Sequence, residues 1–292
     1  MTIKLCVGPI SKQIVDSILE MTAADREKLA FIPSRRQVDF TGGYVNNWST
    51  LTFSKYVSNK VLLQRDHGGP DQGNESDDGY RSFEYDSEYF QIIHVDPWKK
   101  YQKYEEGLLK TVELIEHLHR FNPKVEFEVG TEESIRRFEV DEFNKLLCDL
   151  KSNLKESSFN KIRYGVVQSG VGLDLLNLKN TGTYSADRLK SMVQICKNHG
   201  ILSKEHNGDY LTAEEIKNRY SQGLDTINIA PEFGQIETIE YYNSMTEEQA
   251  KVFYDLCYKS KRWEKWISKK ETSDVAGLIR VCSQVITIMF FA

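Results

Sequence analysis

The chain reads as an α/β protein, a (β/α)8 TIM barrel with extra C-terminal helices, on three observations. Eight short β-rich runs recur along it. Amphipathic helical patterns separate them, which is the alternation of a parallel α/β fold. No G-x-G-x-x-G or G-x-x-x-x-G-K-[ST] follows any run, so an open nucleotide-binding sheet loses its main support.

In order, the runs are "IKLCVG" (3–8), "LAFIP" (29–33), "VLLQR" (61–65), "FQIIHV" (90–95), "KVEFEV" (124–129), "IRYGVV" (162–167), "ILSKE" (201–205) and "TINIA" (226–230). Between the fourth and fifth, Leu108, Val112, Ile115 and His119 share one helical face, with Leu109 beside it. Leu189, Met192, Val193 and Cys196 repeat that spacing in 184–199, and "TAEE" from Thr212 to Glu215 is a capping box that opens another helix.

Two regions exceed a minimal barrel, whose domain spans 1–245. The acidic, glycine-rich "DQGNESDDGYRSFEYDSE" (71–88) reads as a long loop, either a lid or a solvated segment. Residues 246–292 read as a helical extension packing on the barrel; Trp263 and Trp266 stand among Lys and Arg there, as on a solvated helical face. The terminal "VITIMFFA" is too short to span a bilayer and is expected to pack against the barrel or another subunit.

A net charge of −5 and a pI near 5.8 argue against nucleic acid as a partner, which needs a dominant basic face. Cys6, Cys148, Cys196, Cys257 and Cys282 are scattered and form no C-x-x-C pair, which favours a reducing cytoplasm over a disulfide framework. Neither a leader pattern in "MTIKLCVGPI" nor a run of membrane-spanning length is present, so no membrane association is expected.

Barrel enzymes take their reactive groups from the C-terminal ends of the strands. In "VLLQRDHGGP" an apolar run ends in an acid, an imidazole and two glycines. The strand ends deliver Asp66 and His67 (third), His94 and Asp96 (fourth), Glu128 and Glu132 (fifth), Gln168 (sixth), Glu205, His206 and Asn207 (seventh), and Asn228 and Glu232 (eighth). Three of six histidines fall there; His117, His119 and His199 lie on helices or their exits. Two imidazoles with a carboxylate or carbonyl suit a divalent ion of the zinc, cobalt or manganese kind. Such an ion polarises a carbonyl, with Asp66 beside it as acid or base. The alternative for Asp66 is an Asx-turn acceptor, and for each histidine a hydrogen-bonded structural role.

These motifs, in order, resemble those of the class II tagatose-bisphosphate aldolases, in particular their larger, non-catalytic subunit type. The resemblance runs from strand two to strand eight. It is carried by Gln37, Val38, Gly42, Gly43 and Tyr44, then by "RDHGGP", "IHVD", "EVGTE", "VVQSG" and "KEHNGDY". It implies His67 and His206 as ligands of zinc, Asp66 as the proton-transferring acid, Asn228 as a substrate contact and Glu128 as the acid near a second-metal position. The departure is Gln168, which stands where a catalytic member places its third imidazole. An amide is the poorer zinc ligand, so metal is expected to bind more weakly, to use Glu128, or to be a harder ion. Where catalytic members carry a glycine- and serine-rich phosphate loop, this chain has "NGDYL" with the charge of Asp209; Arg35 and Arg36 are the candidate replacements.

The candidate set is Asp66 and Glu132 for proton transfer; His67, His206, Glu128 and Gln168 at the metal; and Gln37, Gly43, Asp96, Asn207, Asn228 and Arg35 toward substrate. The expected function is a metal-dependent class II aldolase cleaving a phosphorylated ketose, with dihydroxyacetone phosphate as the three-carbon product. A stabilising, non-catalytic aldolase subunit is the alternative that Gln168 favours. A sugar isomerase or epimerase, using Glu128 and Glu232, is the third. The phosphorylated sugar is the expected small-molecule partner, and a homo-oligomer or a partner aldolase subunit the expected assembly.

Overall fold

The structure, a computed structural model, describes residues 3–283, so the terminal "VITIMFFA" lies outside the described residues. All eight runs are strands: β1 (Leu5–Val7), β2 (Leu29–Phe31), β3 (Leu62–Gly68), β4 (Ile92–Val95), β5 (Glu126–Val129), β6 (Ile162–Val167), β7 (Leu202–Glu205) and β8 (Thr226–Ile229). Each pairs in parallel with the next, and β8 pairs with β1 to close the barrel. The helices following these strands in turn are α1 (Lys12–Leu19), α2 (Thr50–Val57), α3 (Tyr80–Tyr89), α4 (Tyr104–Phe121), α5 (Val140–Asn153), α6 (Ala186–Asn198), α7 (Ala213–Ser221) and α8 (Pro231–Ser244). Apolar residues on the outer strand faces, such as Phe127 and Val129, pack with Leu114, Ile115, Phe143 and Leu146 of the helices in one core cluster. Among the described residues no helix is long and apolar enough to cross a membrane.

The barrel interior departs from the branched aliphatic filling usual in this fold. Gln64, Glu128 and Lys204, from β3, β5 and β7, form a buried polar layer: Lys204 Nζ donates to Glu128 Oε2 at 2.8 Å and to Gln64 Oε1 at 2.9 Å, and Gln64 Nε2 donates to the same Glu128 oxygen. Burial alone would drive both charges to neutral forms. Their attraction wins: Lys204 is held above its ordinary value by Glu128, and Glu128 well below its own by Lys204.

The strand that ends in "RDHG" is irregular. Arg65 pairs with Ile93 and Gly68 with Val95, so three steps along β3 match two along β4. The extra residue is a β-bulge, which breaks the alternation of inward and outward side chains. His67 absorbs it with a φ of 43°, a left-handed conformation that costs a non-glycine residue about 1–3 kcal/mol.

The segment 71–88 is not a free loop. Its second half is α3, whose Phe83 and Asp86 are buried. Asp86 receives Arg65 through both carboxylate oxygens, at 2.7 and 2.6 Å. The first half is pinned by Arg35, which donates to both oxygens of Asp77, to Asp39 and to the Gly69 carbonyl. Arg35 is therefore spent on structure and buried, not presented to substrate as the sequence led us to expect.

Beyond α8, α9 (Glu247–Ser260) and α10 (Val275–Val281) flank two short 3-10 turns. Phe253, Cys257, Trp263 and Leu278 form a core that takes in Leu175, from the loop after β6, and the α8 side chains Tyr241 and Tyr242. Trp263 is buried there, whereas Lys265 beside it is exposed.

Gly68 closes the bulge in a place with no room for a side chain: a Cβ would lie 2.6 Å from Phe83 and 2.9 Å from the His94 carbonyl oxygen. Overpacking of this kind costs about 1–3 kcal/mol. Gly68→Ala is therefore expected to lower the unfolding free energy by that amount, read as a lower urea midpoint at unchanged m-value; an unshifted midpoint would contradict the packing described.

Candidate metal centre

The bulge sends two consecutive side chains, Asp66 and His67, into the mouth of the barrel. His94 from β4 and His206 just beyond β7 complete the group: one ligand atom from each of the four lies within 4.8 Å of the others. The three rings make a nearly equilateral triangle, with centroids 5.0, 5.1 and 5.1 Å apart.

Each ring is held from behind through one nitrogen, which leaves the other facing the centre. His67 Nδ1 bonds Asp96 Oδ2 at 2.6 Å, leaving Nε2 inward. His94 Nε2 lies 3.0 Å from the Gly130 carbonyl, which can only accept, so this nitrogen carries the proton. Its Nδ1 accepts the His67 N–H. His206 Nε2 bonds Glu128 Oε1 at 2.7 Å, leaving Nδ1 inward. Carboxylate or carbonyl support behind an imidazole is what fixes the tautomer of a metal-ligating histidine.

Asp66 Oδ1 lies 4.0 Å from both His94 Nδ1 and His206 Nδ1, and Asp66 Oδ2 lies 3.9 Å from His67 Nε2. Oδ1 is buried and has no hydrogen-bond partner among the described residues. An unmatched buried carboxylate oxygen is costly, and it is not the acceptor of an Asx turn. Three inward imidazole nitrogens around it form a donor set that fits a divalent cation.

The three rings differ in charge, and a cation held at the centre would displace the proton of His67. Burial opposes ionisation of His67, yet Asp66, Asp96 and Glu132 outweigh it and raise the imidazole to about 10. Burial prevails at His94 over the pull of Glu128 and lowers it, so that ring is neutral, with the Nδ1 lone pair turned to the His67 N–H. Asp96 and Glu132 are both held below the usual range by His67 against the effect of burial.

Several expected roles change. Gln168 is not near the centre: its Oε1 accepts from Phe138 N, and its Nε2 donates to the carbonyls of Thr131 and Arg136, all at 2.8 Å. The third imidazole is His94, already visible at a strand end but absent from the expected ligand set. Glu128 has both oxygens engaged by His206, Lys204 and Gln64, so it supports a ligand instead of being one. Asp96 is buried behind His67, where it also accepts from Thr131 Oγ1, out of reach of a substrate. Gln37 is buried and braces the turn after β2 by accepting from Ser34 N, and Gly43 packs against the backbone of Gln37. Asn207 donates to Glu132 Oε2, and Glu132 lines the cleft beside His67. Asn228 is buried with neither amide atom hydrogen-bonded among the described residues, and the β7–β8 register sets it level with His206.

No protein-family model matches the chain, and no curated protein matches it in sequence. Solved structures do match in fold. A "probable tagatose 6 phosphate kinase" from Sinorhizobium meliloti 1021 aligns over 98% of this chain and 82% of its own, at 16% identity and a TM-score of 0.74. A fructuronate-tagaturonate epimerase from Cohnella laeviribosi aligns over 99% and 72%, at 9% identity and a TM-score of 0.62. A fructose-bisphosphate aldolase from Campylobacter jejuni aligns over 99% and 88%, at 12% identity and a TM-score of 0.59. At these identities the likeness is one of barrel architecture.

The loop after β7 carries an anion of its own. Asp209 is buried, and its Oδ1 accepts the amides of Ala230 at 3.0 Å and Glu232 at 2.9 Å, at the start of α8. Burial pushes this carboxyl up to about 7, despite those two amides and with the help of Glu232. Because the folded value lies above the unfolded one, near 4, the folded chain binds more protons between about pH 4 and pH 7, and stability falls as pH rises through that window. Asp209→Asn keeps the acceptor and removes the charge; it is expected to flatten this slope in urea titrations and to raise stability above pH 7. A variant with the wild-type slope would contradict the assignment.

Proposed function

We propose that this chain is a metal-dependent aldolase that cleaves and forms the carbon–carbon bond between the carbons α and β to the carbonyl of a phosphorylated ketose. The observation that carries the reading is the triangle of inward imidazoles around an unpartnered, buried Asp66 oxygen. His67, His94 and His206 are the residues that would hold the ion; zinc suits imidazole nitrogens, and its binding would release the proton of His67. Bound there, a divalent ion would supply an electrophile for the substrate carbonyl.

The chain's own residues do the rest. In cleavage, Asp66 takes the hydroxyl proton from the carbon that becomes the aldehyde. The bond between that carbon and its neighbour breaks, and the electron pair passes to the carbon beside the ketone. Asp66 then returns the proton to that carbon, releasing a three-carbon ketone, dihydroxyacetone phosphate for a phosphorylated donor. Asn228, with an unpaired amide level with His206, orients a substrate hydroxyl. Asp96, Gly130 and Glu128 hold the rings in the required tautomers.

A second reading, an epimerase, has one specific observation in its favour: Asp66 and Glu132 each place an oxygen 3.9 Å from His67 Nε2, so two carboxylates flank one site. The products separate the two readings, because an epimerase exchanges the carbon-bound proton with solvent without forming a three-carbon fragment. The stabilising-subunit alternative rested on Gln168 as a missing ligand, and Gln168 lies outside the centre.

His67→Ala, His94→Ala and His206→Ala are each expected to lower zinc affinity more than Asp96→Asn, which removes only support and is expected to cost about 10–100-fold. Asp66→Asn is expected to retain metal while losing about 10²–10⁴-fold in cleavage rate. Metal titration with a coupled assay for the three-carbon product measures both. Full cleavage activity after complete chelation of metal overturns the mechanism.

A further inference from the structure

The cleft that opens from His67 and Glu132 has a volume of about 510 Å³ and is lined on its outer side by three cations from widely separated parts of the chain. Arg36 follows β2, Lys99 follows β4, and Lys265 comes from the 3-10 turn of the C-terminal extension. None of the three makes an ion pair among the described residues, in a protein whose net charge is −5. Lys99 donates only to the Asp71 carbonyl, and Lys265 lies over the Trp266 ring, 4.5 Å from its centroid. Both lysines keep exposed surface at the rim of the cleft; both are lowered from their ordinary value by partial desolvation, Lys99 also by Arg36 and Lys265, and Lys265 by Arg36 against the pull of Glu132. Among the described residues the one carboxylate lining the cleft, Glu132, is engaged by Ser134 and Asn207.

The amide cradle at the start of α8 is closed to a second anion. The amides at the start of α8 are bound by Asp209, so a second anion there would meet a carboxylate at close range.

We infer that Arg36, Lys99 and Lys265 form the subsite for the anionic end of the substrate, so that a ketose enters with its charged group toward β2 and β4 and its carbonyl toward the histidine triangle. The inference deepens the aldolase reading and rests on it for the identity of the sugar. The chemistry recognised is a terminal oxyanion, either a phosphate monoester or a sugar carboxylate. The extension then completes the site, since one of the three cations belongs to it.

The test uses the full chain, with added zinc and again after chelation, and glycerol 3-phosphate and glycerate as probes, measured by calorimetry. Removing one charge–charge hydrogen bond corresponds to about a tenfold loss of affinity. Arg36→Ala and Lys265→Ala are each expected to weaken the better probe by about that factor, and the triple alanine variant to abolish binding. Arg36→Lys and Lys265→Arg, which keep the charge, are expected to bind within a few-fold of wild type. Tighter glycerol 3-phosphate assigns the group to a phosphate, and tighter glycerate to a carboxylate. Equal binding by wild type and the triple variant overturns the subsite. Because the chelated arm reads binding without catalysis, loss of aldol cleavage with intact, cation-dependent binding sinks the aldolase reading alone.

Discussion

The site depends on a single extra residue in β3. A parallel strand sends alternate side chains to opposite faces, so neighbours such as Asp66 and His67 cannot both enter a barrel from a regular ladder. The bulge between Arg65 and Gly68 lets them do so, and the strain falls on His67, whose backbone is left-handed. That conformation is held from several sides at once: its N–H by His94, its ring by Asp96, and the residue after it by a glycine lodged against Phe83. Strain that persists in this way is characteristic of sites where position matters more than stability.

Beneath the triangle, the polar layer does for His206 what Asp96 does for His67. Glu128 accepts from His206 on one oxygen and is neutralised on the other by Lys204, which in turn rests on Gln64 and faces the Tyr164 ring. Taking these charges out of water costs several kcal/mol per ion, which only well-aligned partners offset. The result is a rigid floor whose net effect is to orient one imidazole. Each of the three rings is thus set by a different device: a buried carboxylate, a backbone carbonyl and a carboxylate–ammonium pair.

The barrel was legible because its strands are covered on both faces. Such strands read as short β-rich runs between helical patterns, and all eight announced themselves even where Gln64, Glu128 or Lys204 interrupts the apolar residues. Helix α3 was not legible, because "YRSFEYDSEY" shows one large buried residue, Phe83, and acids that look solvated; Asp86 is buried only because Arg65 reaches it from β3. At the site, residue type and strand end sufficed to find Asp66, His67, His94 and His206 as a list. They did not assign roles, since whether a carboxylate faces the centre or stands behind a ring is fixed by register. Glu128 and His94 are directly paired across β5 and β4, yet only the latter belongs to the four-residue cluster at the centre. Gln168 drew attention by motif position, but its three bonds go to backbone that no local pattern reveals. Arg35 and Arg36 are adjacent in sequence and opposite in fate, one buried among acids and the other open in the cleft.

The pairing of Lys204 with Glu128 constrains how this protein can change over time. Replacing either member alone strands an unbalanced charge at the centre of the barrel and loosens His206 as well. Replacing both by apolar residues of similar bulk restores the balance but leaves an imidazole with no brace. Drift at these two positions is therefore concerted or forbidden, and a descendant that has lost both is one that has also given up the histidine above them.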